Sequence, residues 1–415
     1  MRRKLMDHHK QNQDNIEDFQ QKLLKWYQKN KRTMPWRDIE NPYYTWVSEI
    51  MLQQTRVDTV IPYFLRFIEK YPTVKDLAKG EDEDLLKLWE GLGYYSRVKN
   101  MKIAAAEVVE QYDGVFPKDF KSLKALKGIG EYTAGAIASI AYEQREPAVD
   151  GNVMRVVTRI TGNSGDIKLG KTKKEITEEV RKLLPEDNIG DFNQGLIELG
   201  AVMCTSAKKP DCEICPVSEF CVAYEKNLQG VLPVKGKGIK KRLEKKTVVI
   251  LTHRDKIFLR KREDKGLLAG LWEFPNIEGH LRKGALEKLL DRESCFEKEN
   301  LEVGKITKLE DSKAVFSHIQ WNLIAYQVEL VATKKDKEKS HAKDTLEEDT
   351  GSEYGRVGKT DNTEEPGQLN IIEDPELLDI YEEDLMEKGR WISKEVIRQE
   401  YSIASAFKTY RKEVL

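Results

Sequence analysis

Four cysteines fall close together near the middle of the chain: Cys204, Cys212, Cys215 and Cys221, with spacers of seven, two and five residues. Cysteines used as small hydrophobes scatter through a core, whereas thiolates at short spacings converge on zinc or on an iron–sulfur cluster. A disulfide pair is the competing reading; metal is preferred because the rest of the chain reads as intracellular. Two carboxylates stand out for another reason. Glu49 lies in Val47-Ser48-Glu49-Ile50-Met51-Leu52-Gln53-Gln54-Thr55, surrounded by an apolar stripe. A carboxyl in such surroundings has its pKa raised and can act as a general acid, although a lone Glu is more often a surface residue. Asp150, in Val149-Asp150-Gly151-Asn152-Val153, follows a short apolar approach and can either cap the next helix or serve chemistry. Leu126-Lys127-Gly128-Ile129-Gly130 is a tight turn before a helix expected at about Thr133. Such a turn either presents backbone N–H groups to a phosphate or simply joins two helices.

These residues need a scaffold. Apolar positions recurring at three and four predict helices over Ile16–Asn30, Thr45–Thr55, Asp84–Trp89, Arg97–Gln111, Thr133–Ala141, Thr172–Leu184 and Phe192–Met203. Turn signals at Asn41-Pro42, Tyr71-Pro72, Gly91-Leu92-Gly93 and Pro117 separate them. The first part is therefore expected to be an all-α domain over residues 1–229, including the cysteine loop 204–221. A basic linker is expected over 230–246, and a smaller α+β domain over 247–415. In the second domain, Thr247–Thr252 and Lys256–Arg262 read as a hairpin across His253-Arg254-Asp255, and Trp321–Leu330 as another strand. Ala285–Arg292 and Lys394–Tyr401 read as helices.

The net charge of −1 conceals an asymmetry. From Thr333 to Arg390 there are nine Lys/Arg and eighteen Asp/Glu, a sum of −9, so the remainder carries −1 + 9 = +8. A basic body with one acidic insert, taken as disordered near 333–370, suits a nucleic-acid binder. No apolar run approaches membrane-spanning length, and the basic N-terminus lacks the apolar stretch of a secretory signal. The expectation is a cytoplasmic, nucleoid-associated protein.

Together these motifs resemble the helix-hairpin-helix DNA glycosylases related to endonuclease III, and within them the A/G-specific adenine DNA glycosylases, the MutY family. Pro35-Trp36-Arg37, the Glu49 segment, Gly91-Leu92-Gly93-Tyr94-Tyr95-Ser96-Arg97, the Asp150 segment and Phe192-Asn193-Gln194 carry the likeness, in order, together with the hairpin and the cysteines. The resemblance runs from about Ile16 to the C-terminus, outside the acidic insert. It implies a multidomain protein: an all-α glycosylase domain with an iron–sulfur loop, followed by a smaller Nudix-like domain. It implies removal of adenine mispaired with 8-oxoguanine or guanine in double-stranded DNA, with the adenine extruded from the helix.

By the same resemblance, Glu49 protonates the departing base and Asp150 stabilises the sugar cation, with Asn152 and Tyr132 in support. Trp36, Arg37, Gln194 and Glu198 match the adenine pocket. Gln54 and Tyr94 match residues that enter the DNA stack, and Gly128 and Gly130 the phosphate-binding hairpin. Relatives that also cut the backbone carry a lysine just after the hairpin; Tyr132 stands here, which implies a monofunctional enzyme leaving an abasic site. Phe316-Ser317-His318, followed by Trp321, resembles the loop that recognises 8-oxoguanine. The region around Leu271-Trp272-Glu273-Phe274-Pro275 resembles Nudix hydrolases without their magnesium-binding glutamates, implying recognition rather than pyrophosphatase activity. Cys204, Cys212, Cys215 and Cys221 would hold a [4Fe–4S] cluster. The family commonly has six residues in the first spacer; a seventh can bulge outward without moving either ligand, and the basic loop with Lys208-Lys209-Pro210 could contact DNA phosphates. A bacterial source and a monomer are expected, with the acidic insert a candidate site for a protein partner. An endonuclease III-like enzyme on damaged pyrimidines, and a non-catalytic damage-binding protein, are the alternatives.

Overall fold

A computed structural model describes residues 2–206, 210–236, 238, 240–291, 296, 300–333 and 389–415, with only the backbone course for 2–13. The chain divides into two compact units, Met1–Gly238 and Ile239–Leu415. The expected acidic insert and the Lys208-Lys209 pair lie outside the described residues.

The first unit is helical: α1 (Arg2–Asn30), α2 (Pro42–Leu52), α3 (Val57–Lys70), α4 (Val74–Lys79), α5 (Asp82–Leu88), α6 (Ser96–Tyr112), α7 (Phe120–Ala125), α8 (Glu131–Ala136), α9 (Gly151–Thr161), α10 (Gly170–Leu183), α11 (Ile189–Val202) and α12 (Val222–Glu225). Helix α2 starts where Asn41 accepts hydrogen bonds from the Tyr43 and Tyr44 N–H groups and Pro42 supplies a preset φ. It is buried on almost every side, from Tyr43 through Met51, so Glu49 has no solvent face to occupy. Helix α9 packs on α10, α11 and α12, and buries Val153, Met154, Val156 and Val157 in a core with Phe19, Leu23, Phe192 and Leu196. Gly162, at φ 69°, ends it in the left-handed conformation that favours glycine.

One helix departs from expectation. The stretch Thr133–Ala141 is α-helical only to Ala136, and Ile137–Ala141 widens into a π-turn. The Ser139 hydroxyl donates to the Gly135 carbonyl at 2.7 Å, a side-chain bond that competes with the helical ladder.

The second unit is built on one mixed sheet: β1 (Arg242–His253), β2 (Lys256–Lys261), β3 (Trp272–Glu273), β4 (Asn276–Glu278), β5 (Leu301–Lys308), β6 (Ser312–Val315), β7 (Ile319–Ala332) and β8 (Gly389–Ser393). The main order is β3-β2-β1-β7-β5, with β4 on β1, β6 on β7 and β8 on β2. The long central pair β1/β7 is parallel, from Arg242 opposite Ile319 to Thr252 opposite Glu329. Helices α13 (Lys283–Leu290), α14 (Lys394–Glu400) and α15 (Lys408–Val414) accompany it. Val249, Leu251, Tyr326 and Val328 pack with Leu286, Leu290 and Phe296 into the core of this unit.

The linker is shorter than its basic composition implies. Arg242–Lys246, expected within it, form the first half of β1 against Ile319–Leu323. Their backbone is paired while Arg242 and Leu243 remain exposed, and a half-exposed strand tolerates Lys and Arg on its open side.

Candidate active site

Glu49, Tyr132, Asp150, Asn152, Trp36, Arg37, Gln194, Glu198 and Gln54 all line one cleft of about 770 Å³ in the helical unit. They come from separate elements: α2, the start of α8, the cap and first turn of α9, α11, and the 31–41 segment between α1 and α2. Tyr94, Gly128 and Gly130 lie outside that lining.

The carboxylates differ in environment. Glu49 is 8% exposed, and burial pushes its carboxyl up to about 7, with the Asp150 charge adding to the rise. The Tyr132 hydroxyl donates to Glu49 Oε2 and, with Arg37, opposes that rise. Asp150 accepts from the Asn152 N–H at 2.8 Å, the Val153 N–H at 2.7 Å and Asn152 Nδ2 at 2.7 Å. Burial raises its pKa overall, and those three donors offset part of that rise. Asp150 is thus both the cap of α9 and a carboxylate held in one orientation beside Glu49. A carboxyl protonated near neutrality, paired with one supplied with donors, is a general-acid and anionic-stabiliser arrangement.

At the other side of the cleft, Glu198 has no exposed surface, and its two oxygens are occupied by Arg32 and by Arg37, the latter at 2.9 Å. Burial alone would raise its pKa, but the two guanidiniums outweigh burial and lower it. Glu198 therefore acts here by aiming two arginines. Trp36 is buried with its ring edge-on to Phe64, 5.0 Å between centroids.

Sequence reasoning passed over Arg32, Arg155 and Arg159. Arg155 donates to Asn152 Oδ1 at 2.8 Å, to the Gly200 carbonyl at 2.8 Å and to the Cys204 carbonyl at 2.8 Å. Arg159, 3% exposed, donates to Cys204 Sγ at 3.3 Å and to the Thr205, Gln229 and Leu232 carbonyls. The signal was present: two arginines four apart interrupting the apolar run of α9 place two cations on one helix face, one half-buried and one buried.

Cys204, Cys212, Cys215 and Cys221 are free thiols lining one small cavity. Burial, with the neighbouring thiols in support, pushes Cys215 up to about 12 and raises Cys212 and Cys221. Thiols held high in this way bind as thiolates only against a compensating positive charge, which a bound iron cluster would supply. Among the described residues, no three His, Cys, Asp or Glu side chains are grouped as a single-ion site. Four sulfurs spread around one cavity suit a cluster offering one iron to each.

Two glycines shape the hairpin. Gly128 has φ 76°, a conformation that favours glycine, and Gly130 faces open space in front of α8.

In the second unit, Phe316-Ser317-His318 form the turn between β6 and β7, with Ser317 and His318 exposed. The Phe316 ring stands edge-on to Trp321 at 5.0 Å. The Phe316 N–H donates to the Ile319 carbonyl at 2.8 Å, and Lys241 Nζ to the Phe316 carbonyl at 2.7 Å. The Arg242 N–H donates to the His318 carbonyl at 2.9 Å. Glu273, 2% exposed, is held by Arg260 at 2.9 Å and Arg262 at 2.6 Å.

Comparison with known proteins follows this geometry. Residues 47–186 match the HhH-GPD superfamily of base excision DNA repair proteins, residues 206–221 the iron-sulfur binding domain of endonuclease III, and residues 247–354 the NUDIX domain. The iron–sulfur match spans three of the four cysteines and begins just after Cys204. The chain is 39% identical over 263 residues to the adenine DNA glycosylase of Buchnera aphidicola subsp. Acyrthosiphon pisum (strain APS), covering 63% of this chain and 74% of the relative. It is 34% identical over 314 residues to that of Buchnera aphidicola subsp. Schizaphis graminum (strain Sg), covering 75% and 88%. Among solved structures, a thermostable thymine-DNA glycosylase is 29% identical and covers 52% of this chain and 99% of its own, with a TM-score of 0.47.

Proposed function

Because the chain belongs to the adenine DNA glycosylase family, DNA base-excision repair enzymes, we propose that it hydrolyses the N-glycosidic bond of adenine mispaired with 8-oxoguanine or guanine and leaves an abasic site. The observation that carries this reading is the pairing of Glu49, near a pKa of 7, with the donor-rich Asp150 in one cleft. An adenine unstacked from the duplex, at a cost of a few kcal/mol, enters the cleft. Protonated Glu49 gives its proton to a ring nitrogen, so the base departs neutral. The sugar gains oxocarbenium character, which Asp150 stabilises while Asn152 holds its carboxylate in place. Water then adds to the sugar.

Arg37, aimed by Glu198, and Gln194 border the adenine, and Trp36 walls the pocket. The Tyr132 hydroxyl is engaged with Glu49 and provides no amine for a Schiff base, which favours glycosylase chemistry without strand cleavage. Gln54 and Tyr94 enter the DNA stack, and the Gly128–Gly130 turn meets a DNA phosphate. Phe316, Ser317 and His318 read 8-oxoguanine: Phe316 supplies a face, the exposed Ser317 and His318 hydrogen bonds. The chain carries a [4Fe–4S] cluster; Cys204, Cys212, Cys215 and Cys221 would hold it, and it folds the 204–221 segment. Among the described residues, no helix is long and apolar enough to cross a membrane.

The test is single-turnover cleavage of a duplex with one 8-oxoguanine:adenine pair, with and without alkali. Strand breaks appearing only after alkali support the reading, and Glu49→Gln should bind this duplex without excising adenine. No abasic product from the wild type, or breaks without alkali, would sink it.

A further inference from the structure

Gln54 and Tyr94 stand on separate segments, the turn after α2 and the turn before α6, and each has a left-handed backbone, φ 63° and φ 50°. Such a conformation is strained in a non-glycine residue and persists where its surroundings impose it. One side chain touches both segments. Arg97, near the start of α6, sends Nη1 to the carbonyls of Ile50, Met51 and Gln53 at the end of α2. Its Nη2 donates to the carbonyls of Leu92, at 3.1 Å, and Gly93, at 3.0 Å. The guanidinium also lies over the Trp89 ring at 5.3 Å and the Tyr94 ring at 5.7 Å. Five carbonyls on one half-buried cation are more than helix capping needs: a lysine could satisfy the end of α2, but only a planar fork spans both turns. The residues that follow these bonds, Gln54 and Tyr94, are both exposed.

We propose that Arg97 is a positioning residue that fixes Gln54 and Tyr94 relative to one another, so that they enter the DNA stack as a single rigid unit and extrude the adenine. This rests on the stack-entering role proposed above for those two residues. A rigid pair pushes the base out only when both members are in place, so losing either forfeits most of what the pair achieves.

The experiment uses the full, iron-loaded chain and a duplex with 2-aminopurine beside the target adenine, whose fluorescence reports unstacking, alongside single-turnover excision. In the wild-type frame, Gln54→Ala and Tyr94→Ala should each lower extrusion about tenfold, and the double variant no more than about thirtyfold, rather than the hundredfold of independent sites. Arg97→Lys should cost about tenfold in the wild-type frame and under about twofold in the double variant, with the protein still folded at the assay temperature and its visible absorbance unchanged. Full additivity of Gln54→Ala and Tyr94→Ala overturns the proposal, and that cycle does not depend on Arg97→Lys folding. An Arg97→Lys loss that persists undiminished in the double variant, or that tracks loss of folding, also overturns it. No effect of either alanine variant would instead remove the stack-entering role, and the proposal with it.

Discussion

Tyr132→Phe isolates one hydrogen bond that bears on the acid. In the folded chain the Tyr132 hydroxyl donates to Glu49 Oε2 and favours the carboxylate, holding the Glu49 pKa below the value burial alone would set. A hydrogen bond to a charged group contributes roughly 1.5–3 kcal/mol. At 1.36 kcal/mol per pKa unit, its removal raises the Glu49 pKa by about one to two units. Excision requires Glu49 protonated, so the wild-type rate should fall as pH rises through about 7. In Tyr132→Phe that alkaline limb should move up to roughly pH 8–9. The assay is the single-turnover excision rate on an adenine:8-oxoguanine duplex across roughly pH 5 to 10. The height of the profile can drop with lost geometry, but its position reports the acid alone. An alkaline limb that stays in place or moves to lower pH would refute the assignment of Glu49 as the proton donor tuned by Tyr132.

Glu49 should also tax stability. Its folded pKa, about 7, lies above the ordinary 4.5 of a glutamate, so the folded state binds more protons between those values and stability falls as pH rises through that window. Glu49→Gln should remove this loss and stabilise the protein by about 2 kcal/mol more at pH 8 than at pH 5.5, read by chemical denaturation; a pH-independent difference would count against burial of an ionising Glu49. Arg155→Gln withdraws the donors shared by Asn152, Gly200 and Cys204. It should lower excision about tenfold or more and speed loss of visible absorbance under chelation, each bond to a charged group contributing about 1.5–3 kcal/mol; an unaltered rate and unaltered cluster retention would make it a plain packing residue. Replacing Phe316, Ser317 and His318 together by alanine should narrow the preference for an 8-oxoguanine partner over guanine. Equal loss on both duplexes would make the turn a general DNA contact.

The local signals in the sequence were strong where the chain supplies both halves of an interaction. Asp150 and the N–H groups it caps are two and three residues apart, and the burial of Glu49 follows from the apolar helix around it. What escaped depends on partners far along the chain. Arg32 meets Glu198 across 166 positions. Arg242–Lys246 become strand only because Ile319–Leu323 lie beside them, and their lysines and arginine resemble linker until that partner is known. Helix α3 lies outside the expected helices, and it contains Pro62, a residue that ordinarily ends a helix. The widening at Ile137 coincides with the Ser139 hydroxyl turned back to the Gly135 carbonyl, a local choice that periodicity does not show.

The topology of the second sheet sets how much chain is required between β7 and β8. From β7 the path crosses β1 and β2 to reach β8, three strand spacings or about 14 Å. Gly389 pairs with Arg260, which puts the start of β8 about six residues, or roughly 20 Å, back along the sheet from the end of β7. The direct distance is then about 24 Å, which about eight extended residues cover. The chain places residues 334–388 in that interval. Strand pairing therefore demands only about eight residues between β7 and β8, and loop-closure entropy changes by only about 0.6 kcal/mol for each doubling of the connection's length.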